Sequence, residues 1–180
     1  MNIIKSTLII CLAGLLVSGC LKSETKLSTA SNTAYPLAPG AVYDLYELAN
    51  GEWTHDDVIT IYRESNGPGY YYTNADPEDN GIYSFTLIQL GGGRYAAENA
   101  TESAFEYAFL EFNNEGVYKW DVGGNSIMRA IEADLAFQQQ LGTRCLDGEC
   151  TINSVSDLRK IMNYILENDF QPYRFYRQRS

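Results

Sequence analysis

The sequence predicts an α+β domain: an antiparallel β-meander of about seven strands, forming a curled sheet or partial barrel, followed by two helices packed on it. Two observations carry this. From Ala41 onward, turn signals recur every ten to fifteen residues or so between runs rich in Tyr, Phe, Val and Ile. After Gly124 the apolar spacing changes to steps of three and four, the period of a helix.

The turns are Asn50-Gly51, Asn66-Gly67-Pro68-Gly69, Asp76 to Gly81, Gly91-Gly92-Gly93, Asn113 to Gly116 and Gly123-Gly124. Between them the strands fall at Val42–Leu48, Val58–Arg63, Tyr70–Thr73, Ile82–Leu90, Tyr95–Glu98, Phe105–Phe112 and Val117–Val122. Short loops join antiparallel neighbours, hence a meander. Alternation is clearest in Phe105-Glu106-Tyr107-Ala108-Phe109, where the aromatics share one face and Glu106 and Ala108 the other.

A first helix spans Ile127 to Leu141, capped by Asn125 or Ser126 and stopped by Gly142. The second starts at Ser154, with Asp157 three residues on as a short capping box. Val155, Leu158, Ile161, Met162, Ile165 and Leu166 then make one apolar face that should close the core. The ending, Tyr173 to Tyr176, either adds an edge strand or frays. Residues 41–180 are thus expected to be one globular domain. Residues 20–40, rich in Ser, Thr, Ala and Lys and ending in Pro36 and Pro39-Gly40, read as a flexible tether.

Of four cysteines, Cys145 and Cys150 flank Leu146-Asp147-Gly148-Glu149. Asp-Gly is the favoured pair for a two-residue type I′ turn, and that geometry sets the two cysteines opposite each other. A structural disulfide follows. A redox site would more typically show Cys-x-x-Cys.

Residues 1–19 have the layout of an export signal: Lys5, an apolar core from Leu8 to Val17, then Ser18 and Gly19. The apolar run is too short to span a bilayer, which needs about 20 residues. Leu16-Val17-Ser18-Gly19-Cys20 resembles the lipobox of bacterial lipoproteins. The resemblance covers the signal only. It implies diacylglycerol (palmitate-type) lipidation of Cys20, cleavage before it, and anchorage to the bilayer in a bacterial cell envelope. Leu21, where an Asp often marks inner-membrane retention in such proteins, points to an outer membrane facing the periplasm.

The formal net charge is −10, and one unit more negative once residues 1–19, with Lys5, are removed. Phosphate-backbone binding depends on Lys and Arg, so no nucleic-acid partner is expected. The single histidine, His55, sits beside Asp56 and Asp57 in an expected polar loop, with no Gly-x-Ser-x-Gly elbow anywhere. No catalytic set and no cofactor are therefore expected. Asp76, Glu78 and Asn80 occupy the spacing of the first ligands of a calcium loop. Leu87 stands where the closing Glu should be, so a polar hairpin loop explains them better.

Fourteen tyrosines suit half-exposed strands or a contact surface. The functional expectation is a non-enzymatic envelope lipoprotein that binds a protein or cell-wall component through its Tyr-rich strands, or supports envelope structure. The alternative is a carrier of a lipid or small ligand, or an inhibitor of a basic protein such as lysozyme, on a barrel-like fold. An interior cavity favours the carrier; a flat exposed tyrosine patch favours a protein partner.

Overall fold

A computed structural model describes residues 21–75, 81–123 and 126–179. Its strands are β1 (Leu21–Ser23), β2 (Val42–Ala49), β3 (Glu52–Arg63), β4 (Tyr70–Asn74), β5 (Tyr83–Gly91), β6 (Arg94–Ala100), β7 (Phe105–Phe112), β8 (Val117–Trp120), β9 (Cys145–Leu146), β10 (Glu149–Thr151) and β11 (Arg174–Gln178). Its helices are α1 (Ser126–Ala133), α2 (Leu135–Leu141) and α3 (Val155–Glu167).

Strands β2 to β8 form the expected meander, each antiparallel to the next. The sheet is not left open. β11 inserts antiparallel between β2, from Arg174↔Glu47 to Gln178↔Tyr43, and β8, from Arg174↔Lys119 to Tyr176↔Val117. The result is a closed eight-stranded barrel rather than a curled sheet. The physical reason lies in the two outer members of the meander. β2 and β8 each carry one free row of backbone N–H and C=O groups, and a single strand satisfies both.

β3 begins six residues earlier than expected. Asn50 and Gly51 both have positive φ, 53° and 83°, which is the two-residue type I′ turn. Such a turn requires strand on both sides at once, so Glu52 to Asp57 pair with β2. His55 therefore lies on a strand and not in a loop. The register shifts between Leu45 and Tyr46, leaving Asp56 as the extra residue of a β-bulge.

The hydrophobic residues divide into two clusters separated by the barrel wall. Leu45, Ile59, Ile61, Leu87, Ala97, Leu110 and Val117 belong to the barrel interior. Ile88, Ala96, Tyr107, Phe109 and Trp120 belong to a second cluster shared with the three helices and Cys145–Cys150. Neighbours in sequence thus point to different cores, and Tyr107 to Leu110 are all buried. Strands covered on both faces lose the alternation that the sequence pattern suggested for β7.

The helical region keeps its predicted ends but not its continuity. Asp134 interrupts the first helix: its carboxylate accepts from the Phe137 amide at 2.9 Å and so caps α2. A short acidic side chain that competes for backbone N–H groups starts a new helix as readily as it continues one. Gly142, in the left-handed conformation at φ 67°, ends α2. Ser154 accepts from the Asp157 amide at the start of α3, as expected. Cys145 and Cys150 are bonded across an Asp147-Gly148 turn whose φ values are both positive. Gln138, buried on α2, accepts from the Cys145 amide at 2.9 Å and ties this hairpin to the helices.

Residues 21–40 depart most from expectation. Leu21 is fully buried, and β1 pairs with β10 on one side and β7 on the other. Further along, Glu98 of β6, 3 % exposed, accepts from the Leu27 amide (2.8 Å), the Ser28 amide (3.0 Å), the Ser28 hydroxyl (2.5 Å) and the Tyr107 hydroxyl (3.1 Å). Ala34 donates to Leu87, and Gln89 donates to Asn32. Leu37 then covers the interior, its carbonyl accepting from the Tyr70 hydroxyl. The tether reading is corrected: this segment is a strap laid along the barrel. Its polar composition satisfies one buried carboxylate rather than water.

Five of the tyrosines, Tyr43, Tyr70, Tyr72, Tyr107 and Tyr176, are buried. Burial raises the pKa of Tyr43, Tyr70, Tyr107 and Tyr176 above the ordinary value, with the Glu98 carboxylate adding to the effect at Tyr107. In the unfolded chain these hydroxyls ionise near pH 10. Each therefore contributes stability that is present below that pH and lost as pH rises through it. Lys119 acts with the opposite sign, since burial lowers its pKa, but it is one group against four. The barrel should hold to about pH 9 and unfold cooperatively above about pH 10, with phenolate absorbance and loss of β-sheet ellipticity rising together. Independent ionisation of the tyrosines with the sheet intact would contradict this.

Candidate functional site

The interior of the barrel is not filled. A cavity of about 310 Å³ remains, at the small end of ligand-binding pockets. Side chains two residues apart on one strand point the same way, and this places its walls. β3 supplies Ile59 and Ile61, β7 Leu110 and Phe112, and β8 Val117 and Lys119. Ala97 of β6 leaves space where a larger residue would close it. Exposed Ile82, ahead of β5, reaches the same cavity, so the apolar interior continues to the surface at that end.

Polar side chains interrupt this wall: Ser84 and Asn99, the hydroxyl-bearing rings of Tyr43, Tyr72 and Tyr83, and, from the β8–β11 pair, Lys119 and Tyr176. The Lys119 side chain is 1 % exposed, and its ammonium lies 3.0 Å from the Asp121 carboxylate. Its pKa is lowered, chiefly by burial, with Asp121 opposing the shift. Arg174, next to it across the β8–β11 pair, has its guanidinium 3.9 Å from the Asp56 carboxylate. The bulge in β3 sets Asp56 in that position. The Tyr176 hydroxyl and Arg174 Nε are buried without a hydrogen bond of normal geometry among the described residues; the Arg174 guanidinium acts on the Tyr176 oxygen, which leaves the O–H as a donor. The patch thus sets two basic side chains against two acidic ones, with N–H and O–H donors to spare.

The residues singled out by sequence fare unequally. Cys145 and Cys150 come together as a disulfide against the helices. Cys20 lies outside the described residues, one position before buried Leu21. Asp76, Glu78 and Asn80 also lie outside them. His55 is exposed, its Nε2 3.3 Å from an Asp44 carboxylate that also pairs with Arg179. No cluster of three or more His, Cys, Asp or Glu is placed to hold a metal ion among the described residues. No described helix is long and apolar enough to cross a membrane.

Lys119 and Tyr176 were missed by sequence reasoning. The signal was there: Lys119 shares a strand face with Val117, so a charge sits on an otherwise inward-facing row. The outer wall carries a different feature. Phe175 lies between Tyr118 (ring centroids 4.7 Å), Trp53 (5.8 Å) and Tyr46 (6.0 Å), with Arg177 over both Tyr46 and Phe175. Trp53 is 38 % exposed while Phe175 is buried, so this ladder largely covers itself.

Comparison of the chain with protein-family models, with curated proteins and with solved structures finds no match.

Proposed function

We propose that this chain is a non-enzymatic, lipid-anchored binding module of a bacterial cell envelope, and that its barrel interior takes up a small, mainly apolar ligand. The carrying observation is the cavity inside a closed barrel, walled by Ile59, Ile61, Leu110 and Val117 and continuous with exposed Ile82. Protein interiors are close-packed, so a void of this size is a feature that the fold maintains against the loss of contacts. The lipobox resemblance at Leu16 to Cys20 supports the envelope address, with the outer membrane facing the periplasm as its place.

A second reading, in which a protein or cell-wall partner docks on the strands, is favoured by the exposed Trp53, which packs on Tyr118 and Phe175, with Tyr46 and Arg177 also against Phe175. Aromatic and arginine side chains are the usual anchors of such surfaces. The barrel interior is the stronger candidate, because burial of five tyrosines removes much of the surface on which that reading rested.

The experiment is a titration with the neutral fluorophore 1-aminoanthracene, whose emission rises in apolar surroundings. One probe should bind per chain. Ala97→Trp, which fills the cavity from its wall, should abolish the enhancement while leaving thermal unfolding cooperative. Equal enhancement from both proteins would place the probe elsewhere and remove the carrier reading.

A further inference from the structure

The cavity offers its ligand more than an apolar wall, and at the end formed by Lys119 and Tyr176 it offers chiefly donors. Lys119 has three N–H groups and, apart from the Asp121 carboxylate at 3.0 Å, no polar partner is shown for it. The Tyr176 O–H and the Arg174 Nε–H donate no hydrogen bond of normal geometry among the described residues, the Arg174 guanidinium acting on the Tyr176 oxygen. All three side chains stand on the inward rows of adjacent strands, at Lys119↔Arg174 and Val117↔Tyr176 of the β8–β11 pair. Lys119 and Tyr176 line the cavity itself. Buried donors left unpaired are costly, and native proteins keep few of them without a use.

We infer that the ligand is a single-chain amphiphile whose polar end presents acceptor oxygens, of carboxylic acid or ester type, to Lys119 and Tyr176, with its hydrocarbon body among Ile59, Ile61 and Leu110. This rests on the carrier reading above and adds the head-group chemistry to it. Charge sets the first limit. Lys119 and Arg174 are already matched by Asp121 and Asp56, so the patch does not require a full negative charge. What it has is donors in excess of its two carboxylates, and an ester carbonyl meets them as a carboxyl group does. Size sets the second. Liquid water occupies about 30 Å³ per molecule, so 310 Å³ encloses roughly ten methylene-sized groups, the hydrocarbon of one chain.

Three photoreactive probes test this on the full chain in bilayer nanodiscs: diazirine-bearing decanoic acid, its methyl ester, and the matching alkane without a head group. Labelled peptides are mapped by mass spectrometry. The acid, the ester or both should label the β3 and β7 peptides at concentrations at least about tenfold lower than the alkane, since two hydrogen bonds separate them. Tyr176→Phe, and separately the pair Lys119→Met with Asp121→Asn, should each cut head-group-dependent labelling about three- to tenfold. Alkane labelling should not change, which also shows that the variants still fold. If acid, ester and alkane label those peptides alike, or the variants leave the preference intact, the head-group inference fails while the carrier reading stands. If no probe labels the barrel interior, both fail.

Discussion

Glu98→Ala should lower the midpoint of thermal unfolding by about 10 °C and release residues 21–40 from the barrel. In the folded chain one carboxylate, 3 % exposed, accepts from two amides and two hydroxyls. Alanine strands all four donors in a site that water does not reach. Removing one side of a buried charged network typically costs about 3–5 kcal/mol, and a domain of this size loses about 2–4 °C per kcal/mol. Glu98→Gln keeps one acceptor oxygen but turns an N–H₂ toward donors, so its loss should be smaller. The strap gives an independent readout. Lys26 lies two residues before Ser28, and trypsin should cut after it much faster in the alanine variant than in the unaltered chain. A shift within about 2 °C with unchanged cleavage would mean that the strap is held by something other than Glu98.

Cys20→Ser should abolish palmitate incorporation and release the mature domain from membranes. One acyl chain binds a bilayer only marginally and two or more hold it stably, so losing the modified sulfur removes the whole anchor. The fold adds a second expectation that composition alone concealed. A free segment of twenty residues would let the domain stand off by roughly 25 Å. Leu21 is instead fully buried in β1, so the proposed acylation site, Cys20, is its immediate neighbour, one peptide step of about 3.5 Å from the core. Energy transfer from Trp120 or Trp53 to acceptor lipids should therefore show the domain lying against the bilayer. Efficiency matching a 25 Å stand-off would contradict the packed strap, and absence of palmitate from the unaltered chain would contradict the anchor.

The meander was readable because its turns are written in Gly and Asn and its strands in aromatics and β-branched residues. The disulfide hairpin and α3 were equally explicit, since Asp147-Gly148 and Ser154…Asp157 set geometry within a few residues. Closure was not. Whether Tyr173 to Tyr176 frays or bridges β8 to β2 depends on two partners more than 50 and about 130 residues away, and local pattern carries no trace of them. The strap was hidden for a related reason. Ser, Thr and Lys between residues 21 and 40 resemble a solvated tether until one distant carboxylate, Glu98, gives its backbone somewhere to bond. The break in the first helix turns on Asp134, whose carboxylate caps α2 in the middle of an apolar period that continues from Ile131 to Leu135. Of the candidate site, the inward rows of β3, β7 and β8 were visible as apolar strands. The void they enclose is a property of the closed ring.

The most direct measurement is intermolecular NOE contact between added decanoic acid and ¹³C-labelled methyl groups of the protein. The account predicts contacts to Ile59, Ile61, Leu110 and Val117, the walls of the cavity, lost in Ala97→Trp. Contacts confined to the exposed Leu135 and Leu146, or to Ile82 alone, would show that the barrel interior holds nothing, and the binding role would fall with it.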